Sequence, residues 1–318
     1  MAGSAVMIVS IEEAISLLRA GHVVALPTET VYGLAASIHD PRAINNIFEV
    51  KNRPASNPLI VHIGSPNMLP LFARFIPKYV YKLTDAFWPG GLTIVLKKNS
   101  TISGDVCTGQ DTVALRMPDN EIFLKILTDI NASLAAPSAN PSQRISPTHH
   151  QHVESLFSSR VPVVAGGACR VGIESTIIDA TNNDLIEILR PGAISAQDIE
   201  AVSNIKCKTR EGNFISPGSS KKHYSPLKKT FLVSNQLINK KINIFSNHAI
   251  IISRTLKFLP GKVINMPLKP EHYAKKLYDS LIQADSMDGD SIISEQPPQT
   301  SRWHYINDRL KRAAHKIL

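Results

Sequence analysis

Short apolar runs alternate with amphipathic stretches along the first two-thirds of the chain. Val23–Leu26 predicts a buried strand, which Pro27 ends because proline cannot donate to the next ladder hydrogen bond. Asp40-Pro41 has the N-cap and first position typical of a helix, and an apolar stripe at helical spacing follows it. Pro58–Ile63 predicts the next strand. The alternation continues to about Ser203, which predicts a mixed α/β sheet.

Further along, three apolar segments predict strands bordered by polar residues. Leu92–Leu96 follows the turn Phe87–Gly91, and Leu134–Ala136 breaks into a small, polar loop. Between them, Thr112–Arg116 alternates polar and apolar residues, so its polar members share a face with Arg116. The planar fork of an arginine pairs with both oxygens of a carboxylate, so Arg116 is a candidate carboxylate clamp.

The last third predicts a second, smaller domain. Residues 205–229 are basic and polar and predict a linker between a domain at 1–204 and another at 230–318. Strands are predicted at Thr230–Val233, Ala249–Ser253, Val263–Met266 and Ser291–Ser294, with helices at His272–Ala284 and near His304–Ile317. This alternation of strands and helices predicts a small parallel sheet.

Polar side chains interrupt the apolar pattern at two places. Thr28 and Thr30 follow the first predicted strand. Lys51 and Arg53 lie at the end of the helix that begins at Asp40-Pro41, and His62 lies near the end of the strand Pro58–Ile63. Ligands of open α/β sheets collect outside the carboxyl ends of strands, so both groups are predicted to line one crevice. Two cations beside neutral donors suit a polyphosphate. Taken singly, the hydroxyls and the imidazole are also typical of hydrogen-bonded groups in a protein core. The two cations are also typical of the C-terminus of a helix, where they face its dipole.

Composition leaves a second class of function open beside the polyphosphate site, that of a nucleic-acid-binding protein. The chain has 318 residues, a formal net charge of +9 and a pI near 9.4, which admit a protein that binds RNA through a basic concave face. Aromatic residues make up only 6% of the chain, too few for an interleaved base-stacking platform. The three cysteines are far apart and have no metal-ligand spacing. No targeting segment or apolar run of about 20 residues is evident, so we expect a cytoplasmic protein without a membrane contact.

Other chemical motifs are weak or missing from the sequence. His149, His150 and His152 beside Glu154 suggest a metal site, but the predicted helix there makes residues two apart diverge. No G-x-x-x-x-G-K-[ST] run occurs, which disfavours a P-loop NTPase. Ser138 has no neighbouring base that would make it a nucleophile.

Taken together, the motifs resemble the YrdC-like threonylcarbamoyl-AMP synthases in their long, two-domain form. The segments PTETVYGL, KNRPASNPLIVHI, FWPGGLTIVL, TVALRMP, AAPSAN, GIESTIID and ILRPG occur in the order of that family, and HYSP and NDRLKRAA match its linker and last helix. The resemblance covers nearly the whole chain. It implies a twisted mixed α/β sheet with a concave site, followed by a smaller Rossmann-like α/β domain.

The resemblance also implies a reaction. A nucleotidyltransferase of this family combines L-threonine and bicarbonate into a carbamate, which attacks the α-phosphate of ATP and expels pyrophosphate. The threonylcarbamoyl-AMP formed is used by a downstream tRNA threonylcarbamoyl transferase machinery for modification of adenosine 37 in tRNA, and direct tRNA contact is possible but not required. Mg²⁺ is expected with ATP, held mainly by phosphate oxygens and water. An RNA-binding protein without nucleotidyl transfer is the alternative.

By the same resemblance, each substrate has its own set of residues. The L-threonine set is Thr30, His62, Arg116, Ala136 and Ser175. The ATP set is Arg53, Asn57, Thr112, Ser138, Ser146, Arg190 and Tyr224. Lys51 and Arg53 are the candidate catalytic residues, Lys51 being assigned to the phosphates by its charge alone. No protein metal ligand is expected. Residues 205–229 are expected to fold over the active site.

Overall fold

The chain forms two compact units. A computed structural model describes residues 7–100, 102, 104–158, 160–210, 223–238, 249–256 and 263–318. The first unit comprises Met1–Ser142, Pro147–Arg170 and Glu174–Ser219, and the second Gln143–Ser146, Val171–Ile173 and Ser220–Leu318. Residues 211–222 of the predicted linker lie outside the described residues, so its proposed closure over the site stays a prediction.

The strands are short and numerous. They are β1 (Ile8–Val9), β2 (Val24–Leu26), β3 (Gly33–Ser37), β4 (Ile60–His62), β5 (Ala73–Phe75), β6 (Leu92–Lys98), β7 (Thr112–Arg116), β8 (Leu134–Ala135), β9 (Val163–Val164), β10 (Thr176–Asp179), β11 (Ile186–Arg190), β12 (Cys207–Thr209), β13 (Lys229–Val233), β14 (Ala249–Ser253), β15 (Val263–Asn265), β16 (Ser291–Glu295) and β17 (Lys316–Ile317).

The helices flank these strands. They are α1 (Ile11–Arg19), α2 (Pro41–Lys51), α3 (Leu69–Phe72), α4 (Lys78–Phe87), α5 (Gly104–Cys107), α6 (Glu121–Ile130), α7 (His150–Phe157), α8 (Ala196–Ser203), α9 (Pro270–Ser286) and α10 (His304–Ala313), with 3-10 turns at Pro66–Met68 and Ser301–Trp303. No helix within the described ranges is long and apolar enough to cross a membrane.

Local capping signals set the ends of the first two helices. Ser10 and Glu13 form a reciprocal capping box at α1, which satisfies two backbone donors left free by the first helical turn. At α2, Asp40 accepts a hydrogen bond from the backbone of Arg42, and Pro41 takes the first helical position. Asn52 ends α2 in the left-handed conformation, with φ of 48°. The predicted start of α2 is confirmed.

One mixed sheet organises the first unit. Among its described strands the order is β1-β9-β2-β3-β8-β4-β7-β6-β10-β11-β12, with β5 paired to β6. The pairs β4–β7 and β6–β10 are parallel, whereas β2–β3, β3–β8, β4–β8 and β6–β7 are antiparallel. The predicted mixed α/β sheet is confirmed. Its main apolar cluster packs helices such as α2 against one face, with Ile44, Val61 and Leu115 fully buried.

The strand β3 was not predicted. The hydroxyls after Pro27 were expected between a strand and a helix, but they lie in the connection between β2 and β3, where Leu26 pairs with Gly33. Gly33–Ser37 contains glycine, two alanines and serine, which have weak strand preference, so only pairing with β2 and β8 makes the segment extended.

The second unit contains a separate five-stranded sheet. Its order is β15-β14-β16-β13-β17, and every recorded pair of its described strands is parallel. The predicted parallel sheet is therefore confirmed. The prediction of a last helix reaching Ile317 is wrong, because α10 ends at Ala313 and Lys316–Ile317 pairs with β13. Ala314 is already extended, with φ −72° and ψ 138°, which ends the helix.

Candidate active site

Residues from both predicted substrate sets share one face of the first sheet. Because β4 and β7 are parallel, His62 lies directly beside Arg116 and Ile60 beside Ala114. Side chains alternate between the faces of a strand, so Thr112 lies on the same face as Arg116. His62 and Arg116 mark one end of this face and Thr112 the other. The predicted shared face of β7 is therefore present.

An apolar floor separates the two ends. Ile60, Val95, Ala114, Ile177 and Leu189 form a small buried cluster. Ile60 and Val95 both pair with Ala114, which places them on the face of Arg116. Polar groups at the two ends of a short apolar floor can orient a substrate that carries charge at one end.

The guanidinium of Arg116 is buried and strongly held. Its Nη2 donates to Glu29 Oε1 at 2.6 Å and to Thr30 Oγ1 at 2.8 Å, and its Nε donates to the carbonyl of Gly90 at 3.2 Å. The side chains of Arg116 and Glu29 are only 5% and 3% exposed. Within the described residues, Nε and Nη2 are thus bonded and Nη1 is left for a ligand. A bidentate clamp on a carboxylate needs two available nitrogens.

Glu29 was not identified from the sequence. It is the only charged side chain between Val23 and Ile38, and a single carboxylate in an apolar stretch is the signal that was available. Its Oε2 accepts the backbone N–H of Asp119 at 3.1 Å, so both carboxylate oxygens are bonded. Buried carboxylates persist only when paired in this way.

Thr28 and Thr30 shape the connection that reaches Arg116. Thr28 Oγ1 donates to the carbonyl of Val31 at 2.6 Å and accepts the backbone N–H groups of Thr30 and Val31. The hydroxyls of Thr28 and Thr30 are 2.8 Å apart and bond each other. Tyr32, at the end of the connection, donates to the carbonyl of Gly167 at 2.8 Å and accepts the N–H of Gly166 at 3.0 Å. This turn is therefore rigid before any ligand arrives.

His62 is a buried, neutral imidazole. Burial, together with the positive charge of Arg116, lowers the pKa of His62 to about 3. Its ring centroid lies 5.0 Å from that of Phe123, and its Nδ1 has no hydrogen-bond partner within the part of the chain that the structure describes. A buried polar atom without a partner, beside Arg116, is a candidate contact for the substrate.

The pKa of His62 predicts a loss of stability in acid. The unfolded chain takes up the proton near the ordinary histidine pKa of about 6.5. Since the folded chain binds it only near pH 3, the unfolded state binds more protons between these values and stability falls as the pH falls. From pH 7 to pH 5, the wild type is expected to lose about 2 kcal/mol more than His62→Gln. Urea unfolding of both proteins at the two pH values measures this difference; equal losses would contradict it.

Ser175 and Arg190 form a second polar group of the first unit. Arg190 donates through Nε to the carbonyl of Ser175 at 3.0 Å and through Nη2 to its hydroxyl at 3.0 Å. The Ser175 hydroxyl is also 2.7 Å from that of Thr93 on β6. Arg190, predicted to contact ATP, thus orients a residue predicted to contact threonine.

Lys51 is buried away from solvent. Its Nζ donates to the backbone carbonyls of Ser138 and Asn140, and its own carbonyl accepts the N–H of Ser142 at 2.7 Å. Burial and the nearby charge of Arg53 lower the pKa of Lys51 well below its ordinary value. The amine therefore fastens the loop after β8 to the end of α2. A direct phosphate contact of Lys51 stays a prediction.

The loop after β8 presents two more predicted residues. Ala136 donates its N–H to the carbonyl of Ile60 at 3.0 Å. Ser138 forms an isolated bridge with Gly33, at the start of β3. A Cβ added at Gly33 would lie 3.1 Å from the Cβ of Ala136, so the strands approach closely there. The packing of β3 and the amine of Lys51 together fix this loop.

Arg53 and Asn57 lie in the loop that precedes β4. Arg53 donates through Nε to the carbonyl of Asn57 at 3.3 Å and through Nη2 to that of Pro58 at 3.0 Å. Asn57 Oδ1 is buried without a partner within the described residues. Because β4 runs parallel to β7, this loop and Thr112 lie at the same end of the sheet. Three predicted ATP residues are therefore together, at the opposite end from His62 and Arg116.

Ser146 and Tyr224 belong to the second unit. The ring of Tyr224 stacks on Tyr278 with centroids 5.7 Å apart, and the guanidinium of Arg309 lies 5.1 Å from its centroid. Tyr224 has a φ of 61°, a strained value for a residue with a side chain. Its packing within this unit holds that conformation.

The histidine cluster does not form a metal site within the described ranges. His149 caps α7 by accepting from the backbone of Gln151, and the rings of His149 and His150 are 4.2 Å apart. No group of three or more His, Cys, Asp or Glu side chains in the described part of the chain is arranged to hold a metal ion. The histidines that suggested metal binding instead form the N-terminal cap and first turn of α7.

Comparison with known families gives two successive matches. The Sua5_yciO_yrdC family, described as telomere recombination, matches residues 16–192. The Sua5_C family, described as the C-terminal domain of threonylcarbamoyl-AMP synthase, matches residues 194–315. The two matches account for nearly the whole chain.

Individual relatives agree. The chain is 34% identical over 316 residues to the threonylcarbamoyl-AMP synthase of Pyrococcus abyssi, covering 95% of this chain and 93% of the relative. The synthase of Bacillus subtilis is 34% identical over 323 residues, with coverage of 96% and 92%. Among solved structures, P. abyssi Sua5 complexed with L-threonine superposes with a TM-score of 0.89 at 34% identity, over 97% of this chain and 95% of that chain. The YciO protein of E. coli, 20% identical with a TM-score of 0.51, shares the fold over 57% of this chain and 88% of that chain.

Proposed function

This chain belongs to the Sua5 family of two-domain threonylcarbamoyl-AMP synthases, and we propose that it makes threonylcarbamoyl-AMP from L-threonine, bicarbonate and ATP. It is an enzyme of the nucleotidyltransferase type. The observation that carries the threonine assignment is the buried, pre-oriented guanidinium of Arg116 among the hydroxyls of the β2–β3 connection, in a chain similar over its whole length to a protein solved with L-threonine.

The proposed chemistry needs no protein nucleophile. The threonine amine and bicarbonate lose water to form a carbamate, and an oxygen of that carbamate attacks the α-phosphorus of ATP. Pyrophosphate leaves with the electrons of the broken P–O bond. Both reactants are anionic, so the protein's task is to hold them in line and to offset their repulsion.

The polar groups at the two ends of the sheet face support this division of labour. Arg116 offers Nη1 to the threonine carboxylate, and neutral His62 and Thr30 lie beside it. At the other end, Arg53, Asn57 and Thr112 would take ATP. The apolar floor between the ends limits water, which otherwise hydrolyses both the carbamate and the mixed anhydride.

Mg²⁺ enters this proposal only as the companion of ATP. The described side chains do not form a metal cage, so the residues present do not fit a resident metal ion. Phosphate oxygens and water suit Mg²⁺ as ligands, and its chemistry would be to offset phosphate charge.

We further propose that the product passes to a tRNA threonylcarbamoyl transferase machinery in the cytoplasm.

A direct assay tests the function. The full chain is incubated with ATP, ¹³C-bicarbonate and each amino acid in turn, and the products are examined by mass spectrometry. A carbamoyl adenylate labelled with ¹³C is expected with L-threonine, with one pyrophosphate for each molecule formed. Binding of RNA without any adenylate would instead support the RNA-binding alternative, which the named relatives do not favour.

Arg53→Lys is expected to weaken ATP use although it keeps the charge. The arginine fork is held at two points by the carbonyls of Asn57 and Pro58, whereas a lysine ammonium has no fixed plane. The KM for ATP should rise roughly 10- to 100-fold, the value of one or two charged hydrogen bonds. Steady-state kinetics measures it, and Arg74→Lys, at an exposed arginine paired with Asp111, is the matched control. A wild-type KM in Arg53→Lys would show that charge alone matters at this position.

A further inference from the structure

We propose that Glu29 is a positioning and specificity-determining residue, which orients Arg116 and sets the charge of the threonine site so that it takes a zwitterionic amino acid and rejects the matching hydroxy acid anion. The inference rests on the proposed function, since it concerns the site assigned there to threonine.

The orienting part follows from the contacts of the two side chains. Glu29 Oε1 accepts a hydrogen bond from Arg116 Nη2 at 2.6 Å, and the carbonyl of Gly90 accepts one from Nε. Within the described residues, the side chains of Glu29 and Arg116 have no hydrogen bond beyond those already given, so Nη1 is the nitrogen of the fork that remains for a ligand. Glu29 itself is held by the backbone N–H of Asp119 and by the rigid turn of Thr28 and Thr30. The carboxylate thus decides which edge of the guanidinium faces a substrate.

The charge part follows from the guanidinium of Arg116 and the two titratable side chains next to it. Arg116 is positive, Glu29 is negative, and His62 stays neutral because burial keeps its imidazole unprotonated. Together they carry no net charge. A ligand carboxylate bound to Nη1 therefore gains a hydrogen bond but adds a negative charge to a neutral group. The site stays neutral only if the ligand also carries a positive charge. The α-ammonium of threonine supplies that charge, and a hydroxy acid does not.

A buried ion pair alone would not carry this inference, because many such pairs serve only the fold. Here the paired guanidinium also donates to Thr30, lies beside His62 with its unpartnered Nδ1, and forms one end of the apolar floor. A carboxylate placed against a buried cation of a substrate site weakens that site for anions. Removing one unit charge roughly 6 to 12 Å from a ligand changes affinity roughly tenfold to a hundredfold at an effective dielectric constant of about 20.

The test compares two ligands on the full chain by isothermal titration calorimetry without ATP. The ligands are L-threonine and (R)-3-hydroxybutyrate, which is the same molecule without its amino group. On the wild type, the hydroxy acid should bind at least about 30-fold more weakly than threonine. Glu29→Gln removes the charge and keeps the shape, so the ratio of the two dissociation constants should fall roughly tenfold or more. Glu29→Asp keeps the charge but shortens the reach to Arg116, so both ligands should weaken together with the ratio kept.

The possible results separate the inference from simpler explanations. Equal weakening of both ligands in Glu29→Gln would show a purely structural role and overturn the charge assignment. Unchanged affinities in Glu29→Asp would overturn the orienting role, and this variant keeps a buried counter-charge, so it tests the idea even if Glu29→Gln does not fold. Glu49→Gln, at an exposed position on α2, controls for the loss of an acidic residue. A wild type that binds no threonine and makes no adenylate would overturn the proposed function itself, whereas an active wild type with an unchanged ratio in Glu29→Gln would overturn only this inference.

Discussion

Arg116→Ala is expected to abolish threonine use and to destabilise the first unit by about 3–5 kcal/mol, the cost of leaving one partner of a buried ion pair alone. Glu29, whose side chain is 3% exposed, would lose the guanidinium bonded to it at 2.6 Å. In addition, threonine would lose a charged hydrogen bond, which weakens its binding roughly 30- to 1000-fold. Calorimetry with threonine and urea unfolding measure the two effects separately.

The double variant Glu29→Met/Arg116→Met separates stability from binding. Replacement of both partners by apolar side chains of similar length should restore most of the lost stability, because no buried charge is left unpaired. Threonine use should stay absent. If Arg116→Ala kept the threonine dependence of the wild type, Arg116 would not belong to the threonine site.

Lys51→Met is the second change with a large expected effect. The carbonyls of Ser138 and Asn140 would lose the amine that bonds them, and a buried acceptor without a partner costs about 1–3 kcal/mol. Two such acceptors, offset by the easier burial of methionine, give an expected loss of about 2–4 kcal/mol. Because Ser138 belongs to the loop so held, ATP should also bind more weakly, while the contacts of Arg116 persist.

Urea unfolding and ATP titration of Lys51→Met measure these losses. Lys125→Met is the matched control, because its side chain is 53% exposed and its amine bonds Asp129 on the same helix. The stability of this variant should change by less than about 0.5 kcal/mol. A Lys51→Met protein with normal stability and a large loss of turnover would favour the phosphate role predicted from charge. Normal stability with normal turnover would exclude both roles.

The position of Arg116 shows how far a local pattern predicts a site. Alternation along Thr112–Arg116 gives the face of Arg116 without any knowledge of its neighbours, because successive side chains of a strand point to opposite faces. The pattern does not give what the guanidinium bonds. Its partner Glu29 is 87 residues away in the chain, and its neighbour His62 comes beside it only through the β4–β7 pairing.

Lys51, the last residue of α2, and Arg53, just beyond it, show the same limit of a local pattern. Charge alone suggested that Lys51 and Arg53 share the phosphates. The helical turn directs Lys51 inward, where two carbonyls of a distant loop accept hydrogen bonds from its amine, and leaves Arg53 in the loop before β4. Equal charges two residues apart therefore have different environments, which a sequence pattern cannot distinguish.

Features that depend on neighbouring residues can be predicted from the sequence alone. These are the caps of α1 and α2, the end of β2 at Pro27, the two-faced pattern of β7 and the alternation that predicts each sheet. They follow from backbone geometry and local hydrogen bonds, which a few adjacent side chains decide. The order of the motifs likewise predicted the family.

Features that depend on distant partners arise only when the chain folds. Gly33–Ser37 becomes a strand because β2 and β8 supply its hydrogen bonds, and Lys316–Ile317 becomes one because β13 does. The burial of Lys51 and the pairing of Glu29 with Arg116 have the same origin. A buried charge or an unpaired backbone is costly until a partner satisfies it, and these partners become neighbours only when the chain folds.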